Sequence, residues 1–211
     1  MTATIQRSAF LTFEAFLDYD DGTENLYELI DGKVVEMPDA SRLHHSVVKF
    51  LDEVFTQEIR QLERSWETVR NTAIRVPGQL LADGRRPDLA IVDLPKTEAE
   101  QDAKGMTTSS PHMIVEIASS NWANGVREKI FAYMHLGVLE YWVFDYIDYK
   151  GQIPEKHCER ERGVKMIVFT EQRKGYGYDK TEYMGDEVIP CLTFPELQLT
   201  PNQILNRTLP D

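Results

Sequence analysis

Three residues in the middle of the chain have types and spacing that could do chemistry: Asp88, Glu116 and Lys129. Asp88 follows Pro87 at the start of an apolar stretch, and Glu116 interrupts an apolar run between residues 113 and 118. Burying an unpaired carboxylate is costly, so the surroundings of Glu116 must supply a cation, a metal ion or a proton, or the strand end must open to water. The run therefore predicts a site of unusual charge.

One chemistry that fits these residues is metal-assisted hydrolysis. Two carboxylates on neighbouring strands can bind a hard ion such as Mg²⁺, and the backbone carbonyl of Ile117 could be a further oxygen ligand. Such an ion activates water for attack on a phosphodiester and neutralises charge on the phosphate, while Lys129 would orient the water or stabilise the leaving charge. The simpler alternative is that Glu116 only forms a buried ion pair with an arginine such as Arg75 or Arg86.

The elements that would position these residues follow from the apolar pattern. The run 113–118 has no polar alternation, which predicts a strand buried on both faces. Apolar residues at helical spacing then predict a helix with Lys129 at the rim of its buried face and with Gly137 as its C-cap: Val126, Ile130, Tyr133 and Met134. The sequence LEYWVFD predicts the next strand.

The N-terminal part carries a further acid of interest, Glu28. Thr12 to Tyr19 predicts a short helix, and LYELI and KVVEM around Asp31-Gly32 predict a β-hairpin. Glu28 shares a strand face with apolar neighbours, and the alternative to a functional role is an edge strand whose Glu28 faces water.

Two adjacent histidines, His44 and His45, fall at the start of a predicted helix that opens near Ser41. Neighbouring residues on a helix point about 100° apart, so the two side chains cannot both bind one ion. One could face a site and the other water; a simple polar helix start is the alternative.

The remaining patterns predict short elements. The pattern from Trp66 to Val76 predicts one strand, and residues 93–111 are predicted to form either a mobile loop or a short solvated helix. MIVFT and GYGYD predict a hairpin, and TPNQIL predicts a last helix. Together the order predicts a single α+β domain over residues 1–211, with a core of about 24–200, a mixed central β-sheet flanked by helices and an N-terminal β-hairpin.

Composition limits the function classes. Lys+Arg 23 against Asp+Glu 35 gives a net charge of −12, unlike a protein that coats nucleic acid. Cys158 and Cys191 have no metal-ligand spacing, which argues against a disulfide framework or a zinc site. The N-terminus has no signal-peptide pattern and no run reaches the ~18 apolar residues of a membrane span. We expect a soluble cytoplasmic protein with no membrane partner and no small-molecule cofactor.

The ordered motifs resemble a known family. A Pro-Asp pair, a Glu inside an apolar strand and a Lys in the following helix resemble the PD-(D/E)XK nuclease superfamily. YELIDGKVVEMP, RRPDLAIVD, MIVEIASSN and REKIFAYMHLGVLEYWVFD together look like the bacterial restriction endonuclease family of the Uma type. The resemblance runs from about Tyr27 to the C-terminal strands.

The resemblance implies a restriction-endonuclease-like fold and a role for each motif residue. Asp88 and Glu116 would bind Mg²⁺, with Mn²⁺ as a substitute, Lys129 would be catalytic, Glu28 would be an accessory catalytic acid, and His44 would contact substrate. The implied activity is hydrolysis of phosphodiester bonds in DNA by a homodimer.

The chain departs from the family pattern after the Glu strand. Ser119-Ser120-Asn121 lacks the usual proline, Gly125 stands where an acid precedes the helix Lys, and Ala118 occupies the strand position that Lys holds elsewhere in the superfamily. Two functions therefore remain open: a metal-dependent endonuclease, and a non-catalytic acidic binding or regulatory protein that retains the fold.

Overall fold

The computed structural model describes residues 10–77, 83–106, 110–118, 122–146, 163–171 and 177–209, with the backbone alone for 122–127. Within these residues the helices are α1 Phe13–Leu17, α2 Arg42–Gln61, α3 Glu98–Gln101, α4 Trp122–Leu136 and α5 Pro201–Asn206. The strands are β1 Tyr27–Ile30, β2 Lys33–Glu36, β3 Trp66–Val69, β4 Ala73–Val76, β5 Asp83–Arg85, β6 Leu89–Asp93, β7 Gly105–Met106, β8 Met113–Ile117, β9 Glu140–Asp145, β10 Lys165–Glu171 and β11 Tyr178–Met184.

The predicted α+β fold with mixed strand pairing is confirmed, and its strands divide between two sheets rather than forming one central sheet. The larger sheet has the order β11-β10-β9-β8-β6-β3, and the smaller has the order β2-β1-β5-β4-β7. Among the described strands, all pairings are antiparallel except β8 with β9 in the larger sheet and β4 with β7 in the smaller. Sheet membership depends on long-range pairing, which local patterns do not specify.

Strand β8 is the predicted buried strand, and its two faces serve different cores. Met113, Val115 and Ile117 pack in the cluster that contains α2, whereas Ile114 packs in the cluster that contains the C-terminal half of α4. Since side chains alternate along a strand, Glu116 also points to the α4 side. The sheet thus aims Glu116 at the helix that carries the predicted catalytic lysine.

The N-terminal hairpin is confirmed, with Asp31 at φ 47° and Gly32 at φ 75° in its turn. Its first strand is not an edge strand, because β5 pairs with β1 on the side opposite β2. Glu28 is only 7% exposed, so the water-facing interpretation of Glu28 is wrong. Strand β5 has three residues, and nothing in so short a polar segment predicts a strand.

Helix α2 begins where predicted. The side chain of Ser41 accepts a hydrogen bond from the His44 amide at 3.2 Å, which caps the helix and fixes His44 in its first turn. The buried side of α2 packs on the larger sheet.

The predicted strand from Trp66 to Val76 is wrong as one element: Asn71 has φ 51°, and the chain leaves the larger sheet at β3 and enters the smaller at β4. Gly137, with φ 83°, follows the end of α4 as predicted, and the β10–β11 hairpin and α5 are also confirmed.

The segment 93–111, for which a mobile loop and a short solvated helix were alternatives, contains α3, which buries none of its side chains, and β7. Among the described residues, no helix has both the length and the apolar character needed to span a membrane.

Candidate active site

Five predicted site residues come together from five elements in one hydrogen-bonded cluster. Their positions are β1 for Glu28, the first turn of α2 for His44, the residue before β6 for Asp88, β8 for Glu116 and α4 for Lys129. The side chains of all five are between 9% and 18% exposed, so the cluster is largely shielded from water. The fold therefore brings together residues that are far apart in the sequence; the most distant two, Glu28 and Lys129, are separated by 101 positions.

Glu116 is the centre of the cluster. Its Oε1 accepts hydrogen bonds from Lys129 Nζ at 2.8 Å and from the Tyr133 hydroxyl at 2.9 Å. Its Oε2 accepts none from the described residues, and it is not among the fully buried atoms that lack a partner. This oxygen is therefore open to a ligand.

The alternative ion pairs of Glu116 are not formed. Arg75 pairs with Glu14 on the surface, and the Arg86 side chain donates to the carbonyl oxygens of Tyr27 and Asn71. The cation that pairs with Glu116 is Lys129 of α4, which lies where the helical spacing predicts.

Asp88 lies against the backbone beside Glu116. Its Oδ2 accepts a hydrogen bond from the Ile117 amide at 2.7 Å, and its Oδ1 is 3.0 Å from His44 Nε2. The two carboxylates are thus neighbours at the carboxyl end of β8. His45, about 100° further around the helix, is exposed, so one histidine faces the cluster and the other faces water.

Glu28 joins the cluster from the other sheet. Its Oε1 is 3.4 Å from Lys129 Nζ and accepts a hydrogen bond from the Arg86 amide at 3.0 Å. Its Oε2 is 3.4 Å from Arg85 Nη1, and Arg85 Nη2 donates to Asp83 at 3.1 Å. Arg85 and Asp83, 4% and 5% exposed, therefore extend the network into the smaller sheet.

The cluster carries more negative than positive charge. With every carboxylate ionised, the four carboxylates of Glu28, Asp83, Asp88 and Glu116 outnumber by one the three described cations that act on them, which are Lys129, Arg85 and, beside Glu28, Arg86; His44 is left out of the count. A buried excess of this size favours binding of a divalent cation or uptake of a proton.

The pKa values of Glu116 and Lys129 are shifted by this excess of negative charge. Burial, together with the charges of Asp88 and Glu28, raises the pKa of Glu116 to about 7, although Lys129 opposes the shift. Burial alone would lower the pKa of Lys129, but the carboxylates of Glu116 and Glu28 hold it above its ordinary value. Lys129 is therefore an ammonium at neutral pH, and Glu116 is poised to exchange its proton for another cation.

Another buried carboxylate, Glu140, has hydrogen-bond donors on both of its oxygens and provides a contrast to Glu116. Its Oε1 accepts from Trp142 Nε1 at 2.9 Å and Leu192 N at 3.1 Å, and its Oε2 accepts from Thr193 N at 2.9 Å and Thr193 Oγ1 at 2.7 Å. Both oxygens of Glu140 are satisfied. The open oxygen of Glu116 is thus not a general feature of buried acids here.

The donor set of the cluster fits a hard cation. Among the residues that the structure describes, no group of three or more His, Cys, Asp or Glu side chains is arranged to hold a metal. Mg²⁺, however, is usually bound by one or two carboxylates and completed by water and substrate phosphates, so Asp88 and Glu116 are a sufficient protein contribution. The carbonyl of Ile117 stays a predicted ligand.

Sequence reasoning missed three members of the cluster: Tyr133, Arg85 and Asp83. The helical spacing predicts Tyr133 in the apolar stripe of the helix, yet Tyr133 is one turn beyond Lys129, and this i, i+4 spacing is the signal that places its hydroxyl beside the lysine. Arg85 and Asp83 gave no signal, because their role depends on β5 pairing with β1.

The departures from the family pattern fall mostly beyond the described residues. Ser119 to Asn121 lie outside them, and Gly125 lies in the part of α4 for which only the backbone is described. Neither departure is tested by the geometry of the cluster.

Comparisons with known proteins place the chain in a family. No curated protein matches it. A crystal structure described as "a putative nuclease belonging to DUF820 from Anabaena variabilis ATCC 29413" has the same fold, with a TM-score of 0.71, 17% sequence identity, and coverage of 93% of this chain and 98% of that chain. A family model described as "Uma2: Putative restriction endonuclease" matches residues 13–202. Since that match covers well over half of the chain, the protein belongs to the Uma2 family of nucleases.

Proposed function

We propose that this protein is a Mg²⁺-dependent endonuclease that hydrolyses phosphodiester bonds in DNA. The observation that carries the proposal is Glu116, a carboxylate with one open oxygen in a buried cluster in which carboxylates outnumber cations. A divalent cation beside it would offset that excess. Mn²⁺, which also accepts carboxylate ligands, would substitute for Mg²⁺.

Asp88 and Glu116 would hold the ion, with the carbonyl of Ile117 as a further oxygen ligand. When bound, the ion would supply Lewis-acid stabilisation of the phosphate and lower the pKa of the attacking water. His44 and the Ile117 amide hold the two oxygens of Asp88, and Lys129 and Tyr133 hold one oxygen of Glu116. The protein thus fixes both carboxylates before the ion or the substrate arrives.

Lys129 is the proposed catalytic residue. Its ammonium is held between Glu116 and Glu28, at 2.8 Å and 3.4 Å, and its raised pKa keeps it charged. In hydrolysis, water attacks phosphorus, the bond from phosphorus to the leaving sugar oxygen breaks, and that oxygen gains a proton. A fixed ammonium beside the phosphate stabilises the charge that develops during this step.

Glu28 is the accessory acid of the proposal, because it orients Lys129 through a pair in which both partners are mostly buried. His44 is the proposed contact to DNA, from the first turn of α2. A homodimer would place two such sites on one duplex, and the cytoplasm is the proposed location, where DNA is accessible.

The net charge of −12 favours a second candidate function. An acidic surface repels the phosphate backbone, so the chain could instead be a non-catalytic binding or regulatory protein that keeps the nuclease fold. The two candidates differ in one observable, which is metal-dependent cleavage.

The test is incubation of supercoiled plasmid with the purified protein and Mg²⁺ or Mn²⁺. Asp88→Asn, Glu116→Gln and Lys129→Ala are compared with wild type, and Glu53→Gln, an exposed acid of α2, is the matched control. The proposal expects cleavage by wild type and by the control that needs the metal, and loss of cleavage in the three site variants. Equal cleavage by wild type and any site variant would remove that residue from the mechanism, and absence of cleavage by wild type would favour the second candidate.

A further inference from the structure

Tyr133 is a fully buried tyrosine whose hydroxyl reaches the centre of the cluster. Its side chain is 0% exposed, and its hydroxyl donates to Glu116 Oε1 at 2.9 Å. The hydroxyl is the donor of this hydrogen bond, because an ionised carboxylate oxygen can only accept. A buried ring alone would not need this hydroxyl.

Tyr133 and Lys129 donate hydrogen bonds to the same oxygen of Glu116. They are one turn apart on α4, and both donate to Oε1 of Glu116, at 2.9 Å and 2.8 Å. With two donors on one oxygen, the carboxylate plane is held in place, because turning it away from α4 breaks both hydrogen bonds. In the held orientation the other oxygen, Oε2, accepts no hydrogen bond from the described residues.

A neighbouring tyrosine supplies the contrast. Tyr141 is also 0% exposed, its ring centroid is 5.1 Å from that of Tyr133, and its hydroxyl has no hydrogen-bond partner among the described residues. The two side chains share burial and surroundings, and they differ in whether the hydroxyl contacts Glu116.

We propose that Tyr133 is a positioning residue that, together with Lys129, occupies Oε1 of Glu116 and so makes Oε2 the oxygen that binds the metal ion. The inference rests on the proposed metal-dependent function and adds a residue to it. Its physical basis is that partners of a ligating carboxylate fix its orientation and strengthen binding, and their removal typically weakens metal affinity by about 10–100-fold.

The test compares Tyr133→Phe with Tyr141→Phe, which removes an equally buried hydroxyl that contacts no described partner. Calorimetric titration with Mn²⁺ measures affinity, and urea unfolding checks that each variant is folded. We expect Tyr133→Phe to weaken Mn²⁺ binding by about 10–100-fold and Tyr141→Phe to leave it unchanged. In cleavage assays, Tyr133→Phe should raise the half-saturating metal concentration and keep most of the rate at saturation.

Equal affinities in the two tyrosine variants would overturn the inference while leaving the proposed function intact. Failure of wild type to bind Mn²⁺ even with DNA present would instead overturn the proposed function, and the inference with it. A crystal structure of wild type with Mn²⁺ is a second measurement that does not depend on either variant folding. The ion should lie on the Glu116 oxygen that does not accept the hydrogen bond from Tyr133; an ion bound to the oxygen that accepts from Tyr133 would refute the inference.

Discussion

Removal of the Lys129 ammonium is the perturbation whose effect on stability follows most directly from the structure. Lys129→Met keeps the apolar stem and leaves Glu116 and Glu28 without their shared cation. Loss of one partner of a buried ion pair costs about 3–5 kcal/mol. The side chains of Lys129 and Glu116 are 18% and 12% exposed, so partial solvation places the expected loss near the lower end, at about 3 kcal/mol.

The loss of unfolding free energy in Lys129→Met should also depend on pH. The pKa of Glu116 is about 7 beside Lys129, and without that cation it rises further. Between about pH 7 and the new pKa, Glu116 keeps its proton in the folded variant, whereas Glu116 in folded wild type and in both unfolded chains has lost it. The unfolding free energy of the variant therefore falls relative to wild type as pH rises above about 7, by up to ~1.4 kcal/mol per pH unit.

Urea unfolding at pH 6.5 and pH 8.5 measures both effects. Lys104→Met is the matched control, because Lys104 and its partner Asp18 are 67% and 74% exposed, and an exposed pair contributes at most about 1 kcal/mol. Lys129→Met combined with Glu116→Gln should be less destabilised than Lys129→Met alone, since the double variant has no carboxyl at position 116 that must take up a proton or be buried as an unpaired charge. A loss in Lys129→Met no larger than in the Lys104 control, at either pH, would refute the assignment of Lys129 to a buried charge cluster.

Three further predictions concern neighbouring residues. Arg85→Met should lower the unfolding free energy by about 3–5 kcal/mol, because it leaves the buried Asp83 without a cation and Glu28 with Lys129 as its remaining ion-pair partner, whereas Arg75→Met, on the surface, should cost about 1 kcal/mol or less in urea unfolding. His44→Ala should weaken Mn²⁺ affinity by about 10–100-fold in calorimetry, and His45→Ala should not; equal effects would contradict the proposed orienting contact. In metal-free protein, Glu116 keeps its proton to about pH 7 in the folded state and to about pH 4.5 in the unfolded state, so the unfolding free energy should fall as pH rises through this window and should fall less in Glu116→Gln, in which Asp83 and Glu58, whose pKa values are also raised by burial, still contribute.

The sequence predicted the part of the site that lies in one stretch of chain. Asp88, Glu116 and Lys129 occur in order within a strand, strand and helix that strong apolar patterns define, and the resemblance assigned their roles. The helical spacing also placed Lys129 at the rim of the buried face, which is where the structure has it.

The part of the site that depends on the second sheet could not be predicted. Glu28 was ambiguous, because its burial depends on β5, a strand of three residues that lies between β1 and β4. Arg85 and Asp83 are in that strand, and they became members of the cluster only through its pairing. Local patterns report which face of an element is apolar, but they do not report which distant segment covers a polar residue.

Tyr133 escaped prediction for a different reason. A tyrosine on an apolar stripe is usually a core residue, and here it is both a core residue and a hydrogen-bond donor to Glu116. The sequence shows the aromatic ring of Tyr133 and its helical spacing, but the hydrogen-bond partner of its hydroxyl is determined by the packing of α4 against β8.

The central claim is that Glu116 binds a divalent ion on which DNA cleavage depends. Calorimetric titration of Mg²⁺ and Mn²⁺ into wild type and Glu116→Gln, with and without a DNA duplex, tests it most directly. The account predicts binding by wild type that is lost in Glu116→Gln, since the substitution keeps the shape of the side chain and removes the charge that attracts the ion. Equal binding by the two proteins, or no binding by wild type at millimolar metal with DNA present, would contradict it.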